Sequence, residues 1–144
     1  MIQRIQSIWL LLAAALFGIE YWEGIVFAHT LVPGTAPLED SRLMTNESIW
    51  MTIGSLGSSL LAFSSIFLYG NRTLQVALSA VAGLVQIGFY LLCGFYILQK
   101  AGAFGQFRAD YGIYAGLFGL TCNWLASRAI RKDVELVKSM ERLR

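Results

Sequence analysis

Long apolar runs dominate the chain. Four of them, at 7–28, 47–69, 74–99 and 109–130, are broken only by isolated polar residues, and little sequence is left between them. A helix rises ~1.5 Å per residue, so ~20 residues cross a ~30 Å hydrocarbon layer. Each run has that length. Backbone groups in lipid must pair within their own segment, which restricts such runs to helices. Strands of a barrel would show a polar residue at every second position, and these runs are apolar on all sides. The pattern therefore predicts an all-α membrane protein. Its four transmembrane helices form an antiparallel bundle over 1–130, and a short cytoplasmic amphipathic helix follows over 131–144.

Polar interruptions refine this picture. In the first run, Glu20, Tyr21, Trp22 and Glu23 separate the stretch 7–19 from the apolar 24–28. Tyr and Trp favour the membrane interface, so the crossing is expected to end there, with the helix continuing a turn beyond. Two carboxylates are foreign to the apolar part of a signal peptide, and the run is read as the first membrane helix. The longest connection, 29–46, carries Pro33-Gly34 and Pro37, which mark turns. Its Leu31, Val32, Leu38, Leu43 and Met44 suggest that it folds back over the bundle. A short turn, Gly70-Asn71-Arg72-Thr73, makes the second and third helices antiparallel neighbours.

Small residues point to close helix contacts. Gly54, Gly57 and Ser58 lie on the second run, and Gly112, Gly116 and Gly119 lie on the fourth. In lipid, van der Waals packing of small faces takes over from the hydrophobic effect. The fourth-run glycines serve either packing inside the bundle or a homo-oligomer contact. Gln86 and Asn123 fall at adjacent membrane depths, where a mutual hydrogen bond would contribute ~0.6 kcal/mol, up to about 2. Beyond 130, an apolar stripe of Val134, Leu136, Val137 and Leu143 is flanked by Arg131, Lys132, Lys138 and Arg142. That helix is expected to lie on membrane lipid, on the turn at Asn71, or on a partner.

Composition agrees with the pattern. The chain is 56% hydrophobic and 14% charged, with a net charge of +2, too small to indicate a nucleic-acid partner. Of its 11 Lys and Arg residues, eight fall on the side of both termini and three on the other. The positive-inside rule then makes both termini cytoplasmic. Cys93 and Cys122 belong to separate runs at staggered depths, and they read as free thiols rather than a disulfide.

Candidate chemistry is sparse. Ionisable residues inside a membrane are functional suspects, and here those are Glu20 and Glu23, joined by the sole histidine, His29. Arg108 or Lys100 on the same side would neutralise one carboxylate. A Glu/Glu/His set could in principle hold a metal, but no second histidine or cysteine accompanies it, so no metal is expected. No nucleophile–base pair, phosphate loop or haem-ligand pattern is present. The reading is therefore a non-enzymatic protein without a cofactor.

The two ends carry a resemblance. The start Met1-Ile2-Gln3-Arg4-Ile5-Gln6, and the close Arg128-Ala129-Ile130-Arg131-Lys132-Asp133 with Glu135-Leu136-Val137, Ser139 and Arg142-Leu143-Arg144, resemble an uncharacterised bacterial family of small four-span inner-membrane proteins. That family typically has an acidic residue at the place of Val134 and a small one at Met140, where this chain departs. The resemblance implies four helices and a bacterial inner-membrane location, and it implies no activity. The leading expectation is an integral subunit of, or accessory to, a larger inner-membrane complex. Its rivals are a small transporter or channel component using Glu20 and Glu23, and an adaptor that recruits a partner through its C-terminal helix.

Overall fold

The computed structural model describes residues 2–31, 38 and 40–142, with all side chains in those ranges except at 2–4, 138 and 140–142. The expectations for Val32, Pro33, Gly34, Pro37 and Leu143 lie outside the described residues. In chain order the elements are α1 (Ile2–Ile19), β1 (Val26–Thr30), β2 (Arg42–Met44), α2 (Ile49–Ile66), α3 (Arg72–Lys100), β3 (Phe107–Ala109) and α4 (Tyr111–Arg142). A 3-10 turn at Thr45–Glu47 leads into α2.

The four helices pack along one another through three stacked apolar clusters. Leu10, Ala126 and Ile130 fill one end. Ala13, Ala14, Phe17, Ala62 and Ala82 fill the middle. Phe27, Leu43, Met51, Tyr90 and Leu98 belong to the cluster at the far end. At the first end the Gln6 amide donates to the Ala129 carbonyl at 3.3 Å, and Arg72 pairs with Asp133 at 3.2 Å. The start of α1, the turn before α3 and the last turns of α4 therefore sit together, with the three strands at the opposite end. In the turn before α3, the Asn71 side chain accepts the Leu74 amide and caps the helix.

Two features depart from the sequence reading. First, α1 stops at Ile19 and does not run on towards 28. The Trp22 and Ile25 amides turn back onto the Ile19 and Trp22 carbonyls at 2.9 and 2.8 Å, which unwinds the chain before Gly24. Second, residues 26–30 are extended, so the fold is mostly helical but not all-α. The strands form an antiparallel sheet in the order β2-β1-β3, with Ala28 opposite Leu43 on one side and Ala109 on the other. Val26 and Phe27 suit a pleated, buried surface, and long-range partners supply the ladder. The C-terminal segment is helical and continuous with α4, which runs for 32 residues.

Asp110 joins the sheet to α4. Its Oδ1 accepts the Tyr111 amide at 2.8 Å, its carbonyl accepts the Ile113 amide, and its Oδ2 pairs with His29 Nε2 at 2.7 Å. Asp110→Ala should lower stability by ~1 kcal/mol through the lost cap, read as a lower thermal midpoint in mild detergent. Asp110→Asn should recover most of it.

Large apolar side chains lie on the surface as well as in the core, and several polar ones are buried. Helices α2 and α3 are long and apolar enough to cross a bilayer, yet only a third of each apolar window is buried. Leu84 is 69% exposed and Phe118 65%. Ser55, Ser58, Ser79 and Gln86, by contrast, are wholly buried.

Candidate functional site

The polar groups inside the bundle include two connected clusters, and one of them is built around a carboxyl. Because α1 ends at Ile19, Glu20 sits on the unwinding turn with its side chain directed into the bundle, wholly buried. The Gln86 Nε2 straddles it, donating to Oε1 at 2.7 Å and to Oε2 at 2.8 Å. On the other side of that amide, Gln86 Oε1 accepts the Ser58 hydroxyl at 2.6 Å. Three elements thus meet in one chain of hydrogen bonds: the end of α1, the middle of α3 and the middle of α2.

Local backbone features make room for this. Gln86 opens a stretch of wide π-type turns, Gln86–Leu92, within α3. Such turns insert an extra residue and frequently mark functional sites. Here both Gln86 and the wholly buried Tyr90 face inward. Gly116 lets α4 close over the carboxyl. A Cβ there would lie 3.0 Å from Glu20 Oε1 and 3.2 Å from Gln86 Nε2. Gly54 seats α2 on the backbone of α3 at Phe89 and Tyr90. Ser55 and Ser59 donate to the Phe17 and Ala14 carbonyls at 2.6 and 2.8 Å, fastening α1 beside them.

The electrostatics of the site are one-sided. Among the described residues Arg72 forms an ion pair with Asp133 and His29 contacts Asp110, and neither contact involves Glu20. An isolated charge in a low-dielectric interior costs several kcal/mol even after relaxation (order of magnitude). A carboxyl so placed exists either as the neutral acid or against a cation from outside the chain. The second cluster joins α3 to α4. Asn123 Nδ2 donates to the Ser79 carbonyl at 2.8 Å, while the Ser79 hydroxyl donates to Asn123 Oδ1 at 2.7 Å and lies 2.8 Å from that of Ser127.

Several candidates are not brought together. Glu23 is exposed, away from Glu20, because the unwound turn breaks the i, i+3 relation. His29 is on β1 with Asp110. No group of three or more metal-ligating side chains occurs among the described residues. Lys100 and Arg108 are exposed and make no ion pair with Glu20. Gln86 and Asn123 do not bond to each other, since each has nearer partners along its own helix contact.

The small residues of the second and fourth runs lie against different neighbours. Gly112 abuts the Phe27 backbone and the Tyr90 hydroxyl, and Gly119 abuts the Phe17 ring. Gly57 meets only Val85 at an ordinary 3.7 Å. Cys93 and Cys122 are free and half-buried. Arg131 and Lys132 are exposed on α4, and the side chains of Lys138 and Arg142 lie outside those described. The sequence reading missed Ser79, which looks like any helix serine, and Phe27, whose ring stacks edge-on with Tyr90 at 5.4 Å. The β-branched and aromatic start of β1 was the available signal.

A family model described as "Domain of unknown function (DUF4293)" matches residues 2–143. No curated protein and no solved structure matches the chain.

Proposed function

Because the chain belongs to the DUF4293 family, which fixes kinship over nearly its whole length and no activity, we propose its role from the structure: a non-enzymatic, multi-pass membrane protein serving as an integral or accessory subunit of a larger membrane complex. The observation that carries the membrane part is a surface rich in large apolar side chains around buried polar groups. A water-soluble bundle buries Leu and Phe and exposes Ser, Gln and Glu. Here Glu20, Ser58 and Gln86 are inside, while Leu60, Phe63, Leu84 and Phe118 are outside. Polar contacts between helices and apolar outer faces suit lipid as the solvent. Exposed Trp22, Trp50, Tyr96 and Tyr111 lie towards the strand-bearing end, as an interfacial belt would. In this reading all four helices cross the bilayer, and both termini are cytoplasmic.

The buried serines support a non-enzymatic role. Ser55, Ser58, Ser65 and Ser79 all donate to carbonyl or amide oxygens, and none faces a base that would activate it. The partner is another membrane protein or a second copy of the chain. Alkaline carbonate washing should leave the protein in the membrane pellet, and gentle extraction followed by native mass measurement should give a mass above one chain. Release into the wash overturns the membrane reading, and a lone chain overturns the subunit reading.

Glu20 favours one second reading, a membrane component that exchanges a proton or cation at that carboxyl. Unlike the sequence-based version, it uses Glu20 without Glu23. Wild-type protein in liposomes should then conduct protons or cations, and Glu20→Gln should reduce the flux at least tenfold while preserving the fold. Absence of wild-type flux, or flux unaffected by the substitution, removes it.

A further inference from the structure

Beside the Ser79–Asn123 contact, α3 and α4 line a groove of about 940 Å³. That is near the top of the ~300–1,000 Å³ range of ligand pockets. Its α3 wall is Ala80, Gly83, Leu84 and Ile87, at the spacing of one helix face. The small Ala80 leaves room in that wall, while Gly83 lets Asn123 approach closely. Leu120 and Trp124 form the facing wall on α4. This part of the groove is apolar except for Asn123 and Ser127, whose polar groups are engaged with Ser79.

The other end of the groove is cationic. Further along the same face of α4 come Arg128, Arg131 and Lys132, with Glu135 as the one acid of the lining. Asp133, the neighbouring acid, is occupied by Arg72 at 3.2 Å, which leaves Glu135 alone against those three cations. The Arg128 guanidinium lies over the Trp124 ring at 5.5 Å. A guanidinium stacked in this way is held in place while its edge stays free for oxygen ligands. From Leu120 to Arg128 and Arg131 the helix climbs ~12–17 Å at ~1.5 Å per residue. That is roughly half of a ~30 Å hydrocarbon layer. An apolar floor near mid-membrane and a basic rim at the interface match one kind of molecule in both chemistry and length.

We propose that this groove binds an anionic phospholipid, with an acyl chain against Ala80, Leu84 and Leu120 and the phosphate held by Arg128, Arg131 and Lys132. The inference rests on the membrane reading above, and its test separates the two. Full-length protein in mild detergent is titrated with phosphatidylglycerol and, separately, with phosphatidylcholine. Bound lipid is counted by native mass spectrometry and the thermal midpoint is followed.

Phosphatidylglycerol should bind at least tenfold more tightly than phosphatidylcholine and raise the midpoint. Arg131→Glu combined with Lys132→Glu should remove that preference. Ala80→Trp fills the groove and leaves every charge in place, so it should weaken binding of phosphatidylglycerol while helix content stays unchanged. Glycerol phosphate, the headgroup alone, should not compete. Equal binding of both lipids, competition by glycerol phosphate, or binding indifferent to all three substitutions overturns the lipid site. So does loss of a dimer in these variants with lipid retention unchanged, which would make the groove a contact between chains. Failure of the membrane reading would appear earlier, as release by carbonate.

Discussion

Gly54→Val should prevent the bundle from closing. A Cβ at this position would lie 2.6 Å from the Tyr90 backbone nitrogen and 2.7 Å from the Phe89 carbonyl carbon. Those atoms belong to the backbone of α3, so no rotamer change relieves the overlap, and α2 must move away. Overpacking a core typically costs ~1–3 kcal/mol where side chains can yield, and here the obstacle is main chain. Movement of α2 also pulls Ser58 from Gln86 and Ser55 from the Phe17 carbonyl. The expected result is a large loss of folded protein in mild detergent, with Gly54→Ala already lowering the thermal midpoint. Gly57→Ala is the internal comparison. Its new Cβ meets only Val85 Cγ1 at 3.7 Å, and replacing a mid-helix glycine by alanine is worth roughly 0.5–1 kcal/mol in favour of the helix. A valine at 54 that leaves the midpoint unchanged would show that α2 and α3 are not in contact there.

The contrast between these two glycines shows what a sequence can and cannot reveal. Both sit in one small-residue run, and spacing alone marks both as contact positions. Only the rotation of α2 against α3 separates them. The helices themselves were legible because long apolar runs leave few alternatives: the runs at 47–69 and 74–99 became Ile49–Ile66 and Arg72–Lys100. The sheet was not legible, because its strands are short and pair at long range, as Ala28 does with Ala109. No local pattern encodes such a ladder. Glu20 and Glu23 were equivalent while the helix was assumed to continue through them. The end of α1 at Ile19 breaks that symmetry, sending one carboxyl into the core and the other to the surface. Gly116 had the spacing of a helix-pairing motif, and its nearest partner proves to be the Glu20 carboxyl.

Substitutions at Glu20 should divide by chemistry rather than by size. Glu20→Lys places an ammonium against the Gln86 amide nitrogen, a donor facing donors, with no described anion in contact to compensate it. An unpaired buried charge costs ~3–5 kcal/mol, a large fraction of the ~5–15 kcal/mol that holds a domain together. The protein should be lost from the folded pool. Glu20→Ala should be milder. It strands the Gln86 Nε2 without an acceptor, at ~1–3 kcal/mol, and leaves a void beneath Gly116.

Glu20→Gln keeps the shape and one carbonyl acceptor for Gln86, so it should stay within ~1.5 kcal/mol of wild type. The order of midpoints is therefore Gln, then Ala, then Lys, read by thermal unfolding in detergent. A second substitution tests the mechanism. With Gln86 replaced by Leu, the amide that needs an acceptor is gone, so adding Glu20→Ala should cost less than it does alone, a coupling measurable by a double-mutant cycle. Additive costs in that cycle would show that the carboxyl and the amide do not depend on each other. Glu20→Lys as stable as wild type would place this side chain outside the bundle, in water.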